Sequence, residues 1–310
     1  MNTMREAVKE YLSMRRALGF KMHEAGVGLF RFVTFLEQKH SSHITAALAM
    51  EWAQQPTTVQ PLEWARRLSF VRGFARYRSA FDPMTEIPEC EILPYRPKRA
   101  RPYLYKEKEI LDLIEAALTL APVNGFRGYT YYCLLGFLSV TGVRLGEALG
   151  LHIEDVDLAE GIITIRGAKF GKSRLVPLHA STVAVLASYK IKRNEFLKGR
   201  SATYFFISMR GNRLDQGQVR KTFYSLLHQI GIPKPGGYVG ARLHDFRHVF
   251  AIETMKRWYR SGEDVERRLP VLSAYLGHVH VSDTYWYLTA CPELMGQSVN
   301  LLEQRWETES

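Results

Sequence analysis

At 310 residues, with 46% apolar and 12% aromatic side chains, the chain can bury one large core or two moderate ones. Its 42 basic against 31 acidic residues give a formal charge of +11, which suits a polyanionic partner, double-stranded nucleic acid foremost, through the sequence-independent attraction to phosphate. Cys90, Cys133 and Cys291 are scattered and form no Cys-x-x-Cys pair, which argues against a disulfide framework or a cysteine zinc site and points to the reducing cytoplasm; the N-terminus has no apolar signal core, and the longest apolar run, 130–143, is too short for a bilayer, so no membrane partner is expected.

In chain order, apolar positions at helical spacing predict helices over 6–18, ended by Gly19, and over 23–39, where Leu29, Phe32, Val33 and Leu36 share one face. A short helix over 45–54 and a fourth over 61–79 follow, the last with Pro61 suited to its first turn. The fourth helix carries Arg66, Arg67, Arg72, Arg76 and Arg78 with almost no acids, which reads as a phosphate-facing surface rather than an ordinary solvated face. Residues 81–105 then hold five prolines with Arg96, Lys98, Arg99 and Arg101: a stiff, basic linker that divides the chain into 1–98 and 99–310.

The second part opens with a helix over 106–120 and a strongly apolar, buried helix over 127–140. Thr141-Gly142 interrupts it before a helix over 143–151. β-branched residues at 162–166 and 175–178 flank the turn GAKFGKS and predict a hairpin. Helices are expected over 181–196, 216–230, 244–258, 270–276 and 282–288, and an amphipathic segment over 293–305. The expected fold class is mainly α: an N-terminal helical domain and a C-terminal mixed α/β domain with one small antiparallel sheet.

Four clusters carry candidate chemistry. Arg144 follows the Gly142 turn at a helix start; its planar guanidinium can bind two phosphate oxygens, and Glu147 one turn on could orient it or simply pair with it. The hairpin tip offers Lys169, Lys172 and Arg174, where a lysine could protonate a leaving oxygen or merely be solvated. In LHDFRH, His244 and Arg247 share a helical face, which would complete a two-arginine clamp on a phosphate. His248, at i+4 from His244, also admits a zinc reading with His278 or His280, although the protease pattern wants Glu where Asp245 stands. Lastly, LGHVHVSDTYWYL places His278 nine residues before Tyr287, and only one of Tyr285 and Tyr287 can face a common site from a helix. Tyrosine is a poor nucleophile unless neighbours stabilise the charge it develops.

Each cluster alone reads equally as an ordinary structural feature. Their joint order, Arg, hairpin Lys, His-x-x-Arg, Gly-His and then Tyr, resembles the tyrosine recombinase (phage integrase) family over 105–288, with 1–98 similar to its helical core-binding domain by position and type. The family pattern falls on Arg144, Lys169, His244, Arg247, His278 and Tyr287. Lys169 is preferred to Lys172 because it stands five residues before Arg174, and Tyr287 to Tyr285 by its spacing from His278. The histidine-rich VHV after Gly277 departs from the small polar residues of many members.

The resemblance implies a recombinase that cuts and rejoins DNA through a 3′-phosphotyrosine bond without metal, cofactor or ATP. It would act as a two-domain clamp, with phosphate contacts from Arg66, Arg67, Arg72, Arg76, Arg99, Arg101, Lys172 and Arg174. It implies a homo-tetramer on paired sites, or an assembly with sister recombinases, regulated by the C-terminal segment. The stretch DTYWYLTACPELM is similar to recombinases encoded in sets on bacterial transposable elements. Rival readings are a type IB topoisomerase, a non-catalytic DNA-binding accessory subunit and a metal hydrolase using His244, His248 and His278.

Overall fold

The computed structural model of the chain describes residues 3–94, 101–167, 173–232, 240–291, 293–296 and 299. The chain divides into two compact units, Met1–Arg99 and Ala100–Ser310.

Among the described residues the first unit is four helices. α1 (Met4–Ala17) starts from a reciprocal cap: Thr3 Oγ1 accepts the Glu6 amide, and Glu6 returns a carboxylate to the Thr3 amide at 2.8 Å. α2 (His23–Gln38), α3 (Ala46–Gln54, capped by Thr45) and α4 (Pro61–Arg78) enclose a core of Trp52, Phe32, Leu29, Leu36, Val71 and Phe74. Trp52 meets Phe32 edge-on at 5.2 Å between ring centres, an orientation favoured by the ring quadrupoles.

The proline-rich stretch expected to be linker from residue 81 instead packs on this unit through Leu93. The Glu86 amide donates to Ile44 O at 2.7 Å, its carboxylate caps the Ala46 amide, and Thr85 and Leu93 are buried. Proline removes donors but leaves carbonyls, and Arg72 takes those of Pro88 and Glu89. The rest of the stretch, with Arg99, lies partly outside the described residues.

The second unit is arranged around α6 (Phe126–Thr141), which packs against α5 (Glu107–Ala116), α8 (Ala180–Leu197) and α10 (Asp245–Arg260). The sheet has three strands in order β1 (Val156–Asp157), β2 (Ile162–Ile165), β3 (Arg174–Pro177), all antiparallel, with Ile163 opposite Val176 and Ile165 opposite Arg174. β1 was not expected, because two residues are too few for a periodic signal. α9 (Gln216–Gln229) closes the core around Phe223. α11 (Val265–Leu276) and α12 (Ser282–Ala290) form a smaller apolar cluster with α10.

Three boundaries differ from expectation. The helix expected over 106–120 ends at Ala116 and tightens into a 3-10 turn at Ala117–Thr119. That expected over 143–151 shrinks to α7 (Leu145–Ala148), preceded by Arg144 in an extended conformation. α11 begins at Val265 rather than Pro270: Asp264 caps it by accepting the Arg267 amide, and Pro270 lies inside. Of the segment 293–305, residues 293–296 are helical, and all but 299 of the remainder is outside the described residues.

Gly142 ends α6 with φ +60°, and a Cβ there would stand 2.6 Å from Phe250 Cδ1. Gly142→Ala is therefore expected to cost about 1–3 kcal/mol, from left-handed strain plus the clash. Urea unfolding measures this, and an unchanged midpoint would contradict it.

Candidate active site

Five of the six proposed catalytic residues converge. Arg144 caps α7, where Glu147 accepts its amide at 2.9 Å and its Nη1 at 2.9 Å. Arg144 also reaches Gly277 O at 3.3–3.4 Å while its side chain stays 37% exposed. Arg247, in the first turn of α10 and 2% exposed, donates Nη1 to Gly142 O at 2.9 Å and Nη2 to Leu276 O at 2.6 Å. Burial, and then the charge of Arg144, lower its pKa to about 10, so it remains a cation at neutral pH.

Arg174, at the start of β3, completes the group. Its Nε donates to Tyr275 O at 2.7 Å, and Nη1 and Nη2 grip Glu147 at 3.1 and 2.8 Å. Three consecutive carbonyls at the end of α11, those of residues 275, 276 and 277, thus each accept from an arginine of a different element. A helix leaves these carbonyls unpaired at its negative end, so guanidinium groups are their natural partners. Burial would push the Glu147 carboxyl up, but hydrogen bonds from Arg174 and the Arg144 amide, with both arginine charges, bring it down to about 2.

Gly277 (φ +69°) makes the turn that ends α11, its amide returning to Ala274 O and that of His278 to Ser273 O. A Cβ on Gly277 would lie 2.7 Å from Arg174 Nη1, so the turn needs glycine for conformation and for space. His278 Nδ1 then pairs with Thr284 Oγ1 at 2.8 Å, and Thr284 is buried.

Tyr287 is 2% exposed, whereas Tyr285 is 49% exposed and on another side of α12. The Tyr287 ring lies 6.0 Å from that of His278, and it meets Trp286 and His248 edge-on at 5.6 and 5.4 Å. Burial raises its pKa, against the charge and hydrogen bond of Arg247 and the charge of Arg144, so the phenol is protonated at neutral pH. His244 precedes α10 with an exposed edge. Desolvation by the surrounding protein, then Arg247 and Arg144, lower its pKa to about 4. The same causes hold His278 at about 4, and burial with His244 and Arg247 holds His248 at about 3.

Lys169 and Lys172 lie outside the described residues, as does Arg99. His248, weighed above as a metal ligand, sets its ring across that of His244 at 4.8 Å, with a buried Nδ1 lacking a hydrogen-bond partner. Among the described residues no three His, Cys, Asp or Glu side chains are grouped to hold a metal ion. The contacts of Thr284 and Trp286 carry no spacing signal in the sequence, where Arg174 stands among the expected phosphate contacts and marks the register of Lys169.

The α4 arginines divide by environment. Arg67 lies over the Trp52 ring at 3.9 Å and donates to Trp52 O at 2.7 Å, and Arg72 is bound to the carbonyls of Pro88 and Glu89. Arg66 pairs with Glu24 and Glu63 at the surface, while the Arg76 guanidinium makes a long contact to Cys90 Sγ. Arg101 is exposed, its carbonyl accepting from Arg242.

Histidines held neutral when folded, yet free to protonate when unfolded, make stability fall as pH drops below the ordinary imidazole value of 6.5 toward 4 and 3. The denaturation midpoint is expected to decline between pH 7.5 and 5, and His248→Phe to flatten that decline. An equal slope in the variant would contradict the assignment.

The model of the phage integrase family matches residues 104–293. The integrase/recombinase y4rB of Sinorhizobium fredii is 54% identical over 99% of both chains. Tyrosine recombinase XerD of Mycobacterium tuberculosis is 30% identical over 72% of this chain and 68% of its own. Among solved structures, XerH recombinase bound to difH DNA before cleavage superposes with TM-score 0.64 at 18% identity, covering 90% of this chain and 79% of the other. The Tn1549 transposon integrase with transposon right end DNA gives 0.63 at 15%, covering 96% and 98%; these two likenesses bear on the fold. The mainly helical unit with its small antiparallel sheet, the arginine-tyrosine site and the extent of the match agree: this chain belongs to the phage integrase family, the tyrosine recombinases.

Proposed function

We propose that the chain cuts and rejoins DNA through a phosphotyrosine bond at a mobile-element end. The observation that carries this reading is the convergence of Tyr287 with Arg144, Arg247, His244 and His278. Tyr287 Oη attacks the scissile phosphorus, forming the O–P bond as the bond to the 5′ oxygen breaks. Arg144 and Arg247 hold the non-bridging oxygens, where charge accumulates in the transition state. Their partners in the DNA-free protein are neutral carbonyls as well as Glu147, so a phosphate dianion-like transition state offers the stronger attraction.

A neutral imidazole, His244 or His278, receives the tyrosine proton, and Lys169 supplies one to the departing 5′ oxygen. The products are a 3′-phosphotyrosine and a free 5′ hydroxyl. The ester linkage is conserved, so rejoining by a partner strand requires neither ATP nor metal. Two rounds of exchange complete recombination.

Both units bind the duplex, with Arg66 and Arg76 better placed for phosphate than the internally bound Arg67 and Arg72. The working assembly is a homo-tetramer or a set of sister recombinases, with 293–305 docking between subunits, acting in the cytoplasm at the nucleoid. No helix among the described residues is long and apolar enough to cross a membrane.

The test is covalent trapping on nicked DNA carrying the candidate element end, in EDTA and without nucleotide. Wild type and Tyr285→Phe should yield a protein–DNA adduct, and Tyr287→Phe should reduce it to background. Loss in Tyr285→Phe alone would move the nucleophile; no adduct from any protein on DNA it binds would favour an accessory subunit.

A further inference from the structure

Arg174 lies beside the hairpin turn, carries a positive charge and belongs to a DNA-acting protein, so a phosphate contact is the obvious role for it. We propose instead that Arg174 is a positioning residue that acts through Glu147 to aim Arg144, an inference that rests on the recombinase reading above.

All three guanidinium nitrogens are engaged: Nε with Tyr275 O, Nη1 and Nη2 with the two oxygens of Glu147. The side chain is 12% exposed, and Gly277 sits so close that even a Cβ there would collide with the guanidinium. A phosphate would have to displace a bidentate carboxylate to reach it.

The same two oxygens hold Arg144. Oε1 accepts Arg144 Nη1 as well as Arg174 Nη1, and Oε2 accepts the Arg144 amide as well as Arg174 Nη2. Arg174 therefore fixes the plane of the carboxylate, and the carboxylate fixes both backbone and side chain of Arg144. Without Arg174, a largely buried carboxylate would keep Arg144 as its one cation partner among the described residues and would draw that guanidinium inward, away from its exposed side. Lysine keeps the charge of Arg174, but its single ammonium cannot bridge both oxygens and a carbonyl. Because Arg174 opens β3, the same contacts tie the base of the hairpin to Arg144 and to the end of α11.

Arg174→Gln and Arg174→Lys, each alone and combined with Arg144→Ala, are compared with wild type in single-turnover adduct formation. The salt dependence of DNA binding is measured in parallel in a Tyr287→Phe background, which requires no chemistry. Both Arg174 variants are expected to slow adduct formation about 100-fold, the loss typical of a catalytic group displaced by about an ångström. In the Arg144→Ala background the same changes should cost less than about threefold, since a residue acting through Arg144 has nothing left to aim. A general folding defect would instead multiply with the loss of Arg144, and that additivity would overturn the proposal. So would wild-type rates in Arg174→Lys, or a salt slope reduced by about 0.9, the signature of one lost phosphate contact. Absence of adduct in wild type would count against the recombinase reading, and the salt slope would still decide whether Arg174 touches DNA.

Discussion

The carbonyl end of α11 is the structural point on which the site depends. In the proposed reaction two cations would have to stand close enough to share one phosphate, and their mutual repulsion opposes that arrangement. The helix end supplies fixed, weak negative charge where it is needed, with Tyr275, Leu276 and Gly277 oxygens facing Arg174, Arg247 and Arg144 in turn. Carbonyls are neutral, so they orient the guanidinium groups without cancelling them. Glu147 is the exception: two arginines share its carboxylate, which leaves the group cationic. The order Leu-Gly-His acquires a physical reason here. Leu276 is buried in the α10–α12 cluster while its oxygen holds Arg247, Gly277 turns the chain against a guanidinium, and His278 emerges beside Thr284.

Much of this architecture was legible in the residues. The face of Leu29, Phe32, Val33 and Leu36 is buried as its spacing required, and the Gly142 break falls at the end of α6. The convergence of Arg144, His244, Arg247, His278 and Tyr287 was legible only jointly, because each belongs to a cluster that reads as ordinary alone. What escaped were properties that depend on tertiary neighbours. Net charge cannot tell Arg72, bound to carbonyls of a proline-rich stretch, from Arg76, which makes a long contact to Cys90. Nor could it tell Arg174, enclosed by Glu147 and Gly277, from a free hairpin cation. The interior position of Pro270 has a different reason: Val265, Leu269, Leu272 and Leu276 keep helical spacing straight through it and Asp264 caps the first turn, but a proline by itself reads as a helix start.

The histidines extend the same electrostatic logic. Desolvation comes first in keeping the rings of His244, His248 and His278 neutral, and the charge of Arg247 acts in the same direction. Neutrality matters for the proposed reaction because a protonated imidazole could not accept a proton from tyrosine, and it would add a further cation to an arginine pair that already repels. The Thr284 hydroxyl fixes the orientation of His278 from a buried position, a small cost in sequence for a defined geometry.

The placement of Tyr287 sets the opposing requirement. Its ring belongs to the apolar cluster of Ala251, Ile252, Leu269, Leu272 and Leu276, and that burial favours the neutral phenol. Arg247 and Arg144 favour the phenolate. The balance keeps Tyr287 protonated in the resting protein while placing it beside the cations that would stabilise its anion. In the proposed reaction, attack would require the oxygen to meet a phosphorus atom already held by those arginines. A tyrosine 2% exposed is shielded from bulk water, whereas Tyr285, two residues away and half exposed, lacks that shelter. Selectivity between the two tyrosines therefore follows from the packing of α12 against α10 and α11, and the packing face follows from which of two residues, two apart on a helix, is turned toward the buried guanidinium of Arg247.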